Sequence, residues 1–295
     1  MTPHSRQSLL VVLMLVLVCS LGWASKRQAV IQQRSSESYA LPKQYRQIHN
    51  GIMVFCYHRV LRNSWSTQAI RHLSNNSQLH QFNVPTDQFA YQMAYLHDHH
   101  IAVISASTMT KMIAHHQPIH GKYVVLSFDD IDRTVVDNAI PVMIKYRLPF
   151  TTFIITGNTG DYREGSQMAT WSEINRAKRQ AGNLMTLGLH THDMHYLNAQ
   201  GHPVFTEPHM MPRFRRDFAK SRHELIQHTG VHATSFAYPY GASTTQTNKY
   251  LAHQKLGWVA TLDAGVVTSQ TSLNETPRLI INQESWPSVR NWLTH

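Results

Sequence analysis

The sequence predicts an α/β protein: a single-domain, distorted (β/α)7-type barrel built on a parallel sheet. Apolar runs of about five to eight residues alternate from residue 52 onward with amphipathic stretches of about ten to fifteen. This alternation is typical of parallel strands joined by crossover helices. Polar, reactive residues come directly after several of the apolar runs, as expected for folds whose sites lie at the carboxyl ends of the strands.

The apolar runs are the predicted strands. The runs IMVFCY and YVVLSF are rich in β-branched and aromatic residues, and polar residues follow each of them. The run PFTTFIIT leads into a turn that contains Gly and Asn. In chain order we predict strands at residues 52–57, 101–105, 123–128, 149–156, 184–189, 234–238, 258–262 and 278–281.

The amphipathic stretches between these runs are the predicted helices. Thr86 is suited to cap a helix that has Phe89, Met93 and Leu96 on one face. Pro149 ends the helix that precedes it. We predict helices at residues 87–99, 108–115, 134–146, 171–180, 214–228, 245–256 and 287–293, and loops at residues 61–82, 158–170 and 198–212.

The first 25 residues have the pattern of an export signal. His4 and Arg6 precede an apolar run that extends to Leu21, and residues 22–24 resemble a small-residue cleavage site. An uncleaved membrane anchor and, because of Cys19, lipidation are the alternatives. Residues 26–48 are polar and basic, which predicts a linker and leaves residues 49–295 as the domain. We therefore expect an exported protein, secreted or held at the extracellular face of the cell surface.

The chain is basic, with 27 Lys and Arg, 17 Asp and Glu, a formal charge of +10 and 21 His. The excess predicts an anionic partner such as the cell envelope, although solubility alone would explain it equally well. No compact block of Lys and Arg with interleaved aromatic residues is present, so we expect no nucleic-acid partner. The two cysteines are too few for a disulfide framework. We expect a monomer.

Two polar clusters at predicted strand ends suggest a metal site. Adjacent carboxylates at Asp129 and Asp130 repel one another, and a divalent cation relieves this by binding one and leaving the other free as a base. His190 and His195 follow another strand, and neutral imidazoles are usual partners of a carboxylate around zinc. Helix capping by Asp130 or Asp132 is the alternative for the acidic pair.

The motifs FCYHRV, LSFDD, HTHDMH and FAYPYG occur in this order. Together they resemble the polysaccharide deacetylase family with its NodB-homology domain, over roughly residues 50–295. The resemblance is closest to the branch that acts on the biofilm polymer poly-β-1,6-N-acetyl-D-glucosamine. It implies a metal-dependent hydrolase that releases acetate and leaves glucosamine units. Peptidoglycan or chitin oligomers as substrate, and a non-catalytic surface protein that binds polysaccharide, are the alternatives.

The resemblance also implies roles for single residues. Asp129 matches the catalytic base, and Asp130, His190 and His195 match the metal ligands. Most of the family spaces the two histidines four residues apart, whereas the biofilm branch spaces them five apart, as here. His58 matches the general acid of that branch. Zinc is the expected ion, with nickel, cobalt or iron as alternatives.

Further candidates carry weaker signals. The backbone N–H of Tyr240 would hold the oxyanion, and Tyr238 would line the sugar groove. The residues expected to support the site are His192, Asp193 and Asp263. Ala237 stands where the family's motif usually has an arginine beside the base. The resemblance therefore predicts a base without an arginine partner.

Overall fold

The computed structural model describes residues 39–62, 82–163 and 165–295. The strands in these ranges are β1 Gly51–Tyr57, β2 Arg59–Leu61, β3 Asn83–Pro85, β4 Ala102–Val103, β5 Lys122–Phe128, β6 Phe150–Ile154, β7 Tyr162–Arg163, β8 Ser166–Gln167, β9 Met185–Leu189, β10 Ser235–Ala237, β11 Trp258–Ala260 and β12 Leu279–Ile280. The α-helices are α1 Thr86–Asp98, α2 Ala106–Ala114, α3 Ile140–Lys145, α4 Trp171–Ala181, α5 Met211–Thr229, α6 Thr245–Ala252 and α7 Trp286–Thr294.

Eight parallel strands form the central sheet. Their order is β11-β10-β9-β6-β5-β1-β12, and β4 pairs with the first half of β5. The sheet curls into a half-barrel with helices packed on it, which confirms the predicted α/β barrel-type fold. Because the strands are parallel, the residues that follow β1, β5, β9 and β10 come together at one edge. The strands β2 with β3, and β7 with β8, form two small separate sheets.

The core lies on both sides of the sheet. All seven residues of β1 are buried, as its unbroken apolar run predicts. Met53 and Phe55 belong to the larger apolar cluster, to which α1, α5 and α7 contribute. Ile52 and Val54 belong to a smaller cluster with α2. Because side chains alternate along a strand, β1 contributes apolar side chains to the core on both sides of the sheet.

Local sequence sets where several helices begin. Thr170 and Glu173 cap each other at the start of α4, and Ser105 caps α2. Thr86, the predicted cap of α1, is instead its first residue. The predicted helix at 134–146 is α-helical only from Ile140, because it begins with a π-turn at Val135–Ala139. Pro141 has no N–H to close a regular i to i−4 bond there.

The other predicted elements are present, with ends that differ by a few residues. The predicted loop at 158–170 contains the β7–β8 hairpin, and the loop at 198–212 contains two short 3-10 turns. Most of the predicted loop at 61–82 lies outside the described residues.

The predicted export signal and most of the predicted linker also lie outside the described residues. Residues 39–48 pack on the domain instead of extending as a linker. Leu41 is buried, and its N–H donates to Ser288 Oγ at 2.9 Å. The carbonyl of Ile48 accepts from Trp292 Nε1 at 2.8 Å. The domain therefore begins before residue 49. In the described ranges, no helix has both the length and the apolar character needed to cross a membrane.

Candidate active site

Four strand ends bring the predicted reactive residues to one edge of the sheet. His58 follows β1, Asp129 and Asp130 follow β5, His190 follows β9, and Tyr240 lies just beyond β10. In the sheet only β6 separates β5 from β9, and β1 and β10 are direct neighbours of β5 and β9. The predicted residues therefore share a single site.

Asp130, His190 and His195 present three ligand atoms to one point. Asp130 Oδ1 lies 3.4 Å from His195 Nε2 and 3.5 Å from His190 Nε2. A tetrahedral zinc ion with bonds of about 2.0–2.2 Å would place its ligand atoms about 3.4 Å apart. Asp130 Oδ1 is also buried, and no hydrogen bond from the described residues satisfies it. An unpaired buried carboxylate oxygen is costly, so the three residues fit a divalent cation.

The environment of His190 suits a metal ligand. Its Nδ1 lies 2.8 Å from the carbonyl oxygen of Ala237, so Nδ1 carries the proton and Nε2 faces Asp130. Burial lowers the pKa of His190 to about 4, against the opposing effect of Asp129. The ring is therefore neutral at neutral pH, as a ligand must be. His195 packs against the ring of Tyr240, with centroids 4.6 Å apart.

The turns that carry the site residues are strained. Asp130, Ile131, Thr191 and Tyr240 have φ angles between 52° and 71°, a region that β-branched residues rarely adopt. The N–H of Thr156 donates to the Thr191 carbonyl at 3.1 Å and holds one of these turns. Such conformations persist only where the surroundings fix them, and they cluster at functional sites.

Asp132, not Asp130, takes the helix-start position that the sequence left open for either residue. Its carboxylate accepts from the Thr134 N–H at 2.7 Å, directly before the π-turn, and from the hydroxyl of Ser166. Asp130 faces the two histidines instead. The neighbouring acidic residues thus have separate environments, and capping does not account for Asp130.

A buried arginine fixes Asp129. Arg278 Nη1 and Nη2 donate to Oδ1 and Oδ2 of Asp129 at 2.6 and 2.7 Å, and neither residue is more than 1% exposed. Arg278 also donates to the carbonyl of Thr261 and to the hydroxyl of Ser127. Burial raises the pKa of Asp129, but Arg278 and His190 outweigh burial and hold this pKa well below its usual range. Asp129 is therefore ionised at neutral pH.

Arg278 corrects the prediction that this carboxylate lacks an arginine partner. That prediction rests on Ala237, which stands where the family motif has arginine. The guanidinium comes instead from Arg278, the residue before β12, which lies 149 residues from Asp129 in the chain. Strand β12 pairs with β1. The sequence signal was a single arginine at the head of the apolar run RLII, since a buried charge of this kind needs a partner.

A second group of atoms surrounds Asp129. Cys56, His58 and Asp129 each place one heteroatom within 4.8 Å of the others. His58 packs on Phe82 with ring centroids 4.4 Å apart, and its Nδ1 is buried with no hydrogen-bond partner among the described residues. Burial lowers the pKa of His58, while Asp129 opposes this shift. Sequence reasoning missed Cys56, whose thiol stays protonated because burial raises its pKa.

His192 and Asp193 lie outside the three-ligand cluster. His192 Nδ1 is hydrogen-bonded to the Thr156 hydroxyl at 3.0 Å, and the exposed Asp193 pairs with Arg213 at 3.5 Å. Their backbone N–H groups donate to the two carboxylate oxygens of Asp217, at 2.8 and 2.6 Å. Asp217 belongs to α5 and was also missed in the sequence. It fixes the backbone between His190 and His195.

Two predicted site residues, Tyr238 and Asp263, have surroundings that differ from those that the sequence predicts. Tyr238 is fully buried and its hydroxyl donates to Asn248 at 2.6 Å, so the prediction that it lines an open groove is wrong. The reason is strand alternation, which places Tyr238 on the same core-facing side as Phe236. Asp263 is exposed, and its link to the site is its carbonyl, which accepts the Arg278 N–H at 3.1 Å.

Comparison with known proteins extends these observations. Residues 116–258 match a family model described as polysaccharide deacetylase. The poly-β-1,6-N-acetyl-D-glucosamine N-deacetylase of Staphylococcus epidermidis is 26% identical over 254 residues, which cover 82% of this chain and 83% of that protein. The protein of the same name from Staphylococcus aureus is 25% identical over 257 residues, covering 85% of this chain and 86% of that protein.

A solved structure is also similar. The structure of IcaB from Ammonifex degensii is 31% identical in sequence, with a TM-score of 0.73. The match covers 83% of this chain and 98% of that chain. Similarity of this extent goes beyond likeness of fold alone.

Proposed function

The chain belongs to the polysaccharide deacetylase family and is a hydrolase of linear amides, and from that premise we propose that it removes N-acetyl groups from poly-β-1,6-N-acetyl-D-glucosamine. The observation that carries the proposal is the convergence of Asp129, His58 and the Asp130–His190–His195 cluster at one sheet edge. The relatives from the two staphylococci are named for this polymer, which supports the choice of substrate.

Asp130, His190 and His195 are the residues that would hold a divalent cation. We propose zinc, because a carboxylate and two imidazoles leave the fourth tetrahedral position open, as in catalytic zinc sites. Nickel, cobalt and iron accept the same ligand types. A cation bound there supplies Lewis-acid polarisation of the acetyl carbonyl and lowers the pKa of a bound water.

Asp129 is the proposed proton acceptor when water attacks the acetyl carbonyl. Each of its oxygens already accepts one N–H from Arg278, so the carboxylate plane is fixed and further lone pairs stay available. Its low pKa keeps it unprotonated before the substrate arrives. Arg278 is thus a positioning residue, and Asp129 is the group that takes the proton.

His58 is the proposed proton donor to the leaving nitrogen. An amide anion is a poor leaving group, so the C–N bond breaks only as this nitrogen is protonated. The position of His58 within the group around Asp129 supports an acid and a base acting across one bond. The backbone N–H of Tyr240 is the proposed donor to the developing oxyanion. The products are acetate and a glucosamine unit.

The proposed place of action is the outside of the cell. The pattern of residues 1–25 supports export, with the segment either cleaved or kept as an anchor. An exopolysaccharide is met on the extracellular face. Deacetylation turns a neutral polymer into a cationic one, which adheres to anionic envelopes. This chemistry would contribute to maturation of a biofilm matrix.

The substrate can be tested with oligomers of equal length. The full chain would be given β-1,6-linked or β-1,4-linked N-acetylglucosamine oligomers, with zinc, nickel, cobalt or iron, or with a chelator, and new amines would be counted. We expect amines from the β-1,6 series and none with the chelator. Release from the β-1,4 series alone would contradict the proposed polymer and favour peptidoglycan or chitin oligomers. No release with any of the four metals would favour a non-catalytic binding protein.

The role of Asp129 can be tested in the same assay. Asp129→Asn should lower the rate by about 10²–10⁴-fold, the usual contribution of a general base. Its metal content should not change, because Asp129 is not one of the three proposed ligands. Asp98→Asn makes the same change at an exposed position of α1 and should leave the rate unaltered. Loss of metal from Asp129→Asn protein that is still folded would contradict the separation of base and ligand.

A further inference from the structure

The positive charge of the chain is concentrated on one group of helices. Residues 171–181, 211–229 and 245–255 comprise α4, α5, and α6 with the turn after it. They hold ten of the 27 Lys and Arg but only three of the 17 Asp and Glu, which is seven of the ten net charges. The first 38 residues contribute the other three. The rest of the chain is neutral in sum. Helices α4 and α6 both contact α5, so we call these segments the basic face.

Helix α5 carries the exposed centre of the basic face. Four of its basic side chains have no carboxylate within 4.0 Å among the described residues: Arg215, Arg216, Lys220 and Arg222. The two acidic residues of α5 are engaged elsewhere. Asp217 binds backbone N–H groups of the site loop, and Glu224 pairs with His228 at 3.4 Å. The four cations are therefore available to an outside partner.

Two of these arginines lie on one side of α5, next to α6. The guanidinium of Arg215 is 5.4 Å from the ring centre of Tyr250, and that of Arg222 is 5.8 Å from the ring centre of Phe218. The two rings are themselves 5.8 Å apart. Guanidinium groups resting on aromatic rings lose less freedom on binding, and their paired N–H donors match the oxygens of a phosphate.

We propose that the basic face binds a linear, phosphate-rich polyanion of the cell envelope. The substrate polymer proposed above is neutral and its product is cationic, so neither is attracted to this charge. Large apolar side chains exposed in the described residues are Tyr91, Tyr162, Tyr196 and Leu197, and all lie outside the basic face. The face thus lacks the apolar anchors of a surface that enters a bilayer.

The point where the chain enters the domain also favours a polymer over a membrane. Leu41 and Ile48 contact α7, which follows β12 at one end of the sheet order. Helix α5 connects β9 to β10, and in the sheet order β6, β5 and β1 lie between these two strands and β12. An anchor at the N-terminus would therefore attach the domain on the side of α7 and not on the basic face.

The binding test uses the full chain and linear inorganic polyphosphate at several salt concentrations. In a second measurement, binding of the same chain to vesicles of phosphatidylcholine and phosphatidylglycerol is determined. We expect binding of polyphosphate that weakens steeply with salt, because each phosphate contact releases counterions. The variant R215Q/R216Q/K220Q/R222Q should bind polyphosphate about tenfold to a hundredfold more weakly. Vesicle binding should be the same for this variant and the parent, since residues 1–25 are present in both.

A matched control separates the face from the net charge. The variant K43Q/K111Q/K145Q/R290Q also removes four positive charges, all at exposed positions on other parts of the surface, and should keep most of the binding. Equal losses in the two variants would overturn the proposal. A selective loss of vesicle binding by the α5 variant would assign the face to a membrane and would overturn it too. Both variants should deacetylate short oligomers at the parent rate, so failure of the proposed activity is recognised separately.

Discussion

The site edge and the basic face carry charge in opposite ways. At the site edge the charges are buried and face specific groups. Arg278 holds both oxygens of Asp129, and Asp130 faces two imidazoles. On the basic face, four cations of α5 are free of carboxylates among the described residues. Water screens exposed charges, whereas a buried charge without its partner is penalised by several kcal/mol.

Because of this difference, the two regions should respond differently to the loss of a single charged residue. A buried charge depends on one partner, so losing that partner is close to an all-or-none event. Exposed charges act as a group on a distant ligand, so each loss is partial. Substitutions in the two regions should therefore differ in size and in what they change.

Arg278→Met should have the largest effect on stability, because it leaves Asp129 buried without a counter-charge. Breaking a buried pair of this kind costs about 3–5 kcal/mol of unfolding free energy. Denaturant unfolding of the parent and the variant measures the loss. The double variant R278M/D129N removes both charges and should recover most of it. A loss below about 1 kcal/mol for Arg278→Met would mean that the pair behaves as an exposed one.

Asp217→Asn should have an intermediate effect, on the metal site more than on the fold. An amide offers one acceptor oxygen, whereas the backbone N–H groups of His192 and Asp193 need two. We expect zinc affinity to fall by about 10–100-fold, measured by competition with a chelator. Glu224→Gln, on the same helix, is the control and should keep the affinity. Unchanged affinity in Asp217→Asn would show that Asp217 does not position the ligands.

Arg216→Gln should have the smallest effect. Its side chain is exposed and has no carboxylate partner among the described residues, so the unfolding free energy should change by no more than about 0.5 kcal/mol. Thermal unfolding beside Arg278→Met makes the comparison direct. A loss of several kcal/mol in Arg216→Gln would show that Arg216 contributes to the stability of the folded core.

The fold could be predicted because its strands are short apolar runs buried on both faces. The bounds of β1 and β5 differ from the prediction by a single residue at one end. Other features depend on contacts that a local pattern does not contain. The π-turn before α3 depends on Pro141, and the packing of Leu41 depends on Ser288, 247 residues further along the chain.

The candidate site could be predicted only as far as its motifs extend. Asp129, Asp130 and His190 directly follow apolar runs, and the structure brings them together at one edge. Their chemical roles are still predictions. Arg278 and Asp217 have no motif, since each acts on a residue far away in sequence. The position of Tyr238 was misjudged because the sequence does not say which side of a strand faces the helices.

Arg278 lies 149 residues after Asp129 in the chain. Until its strand pairs with β1, Asp129 has no counter-charge and the sheet lacks one of its edges. A chain cut before residue 278 can therefore assemble neither the edge strand nor the fixed carboxylate, however well its other helices fold. The fixed position of the proposed base thus depends on the docking of a segment far along the chain from it. Proteolytic removal of the segment from residue 278 onward would therefore act as an irreversible off-switch for the proposed activity.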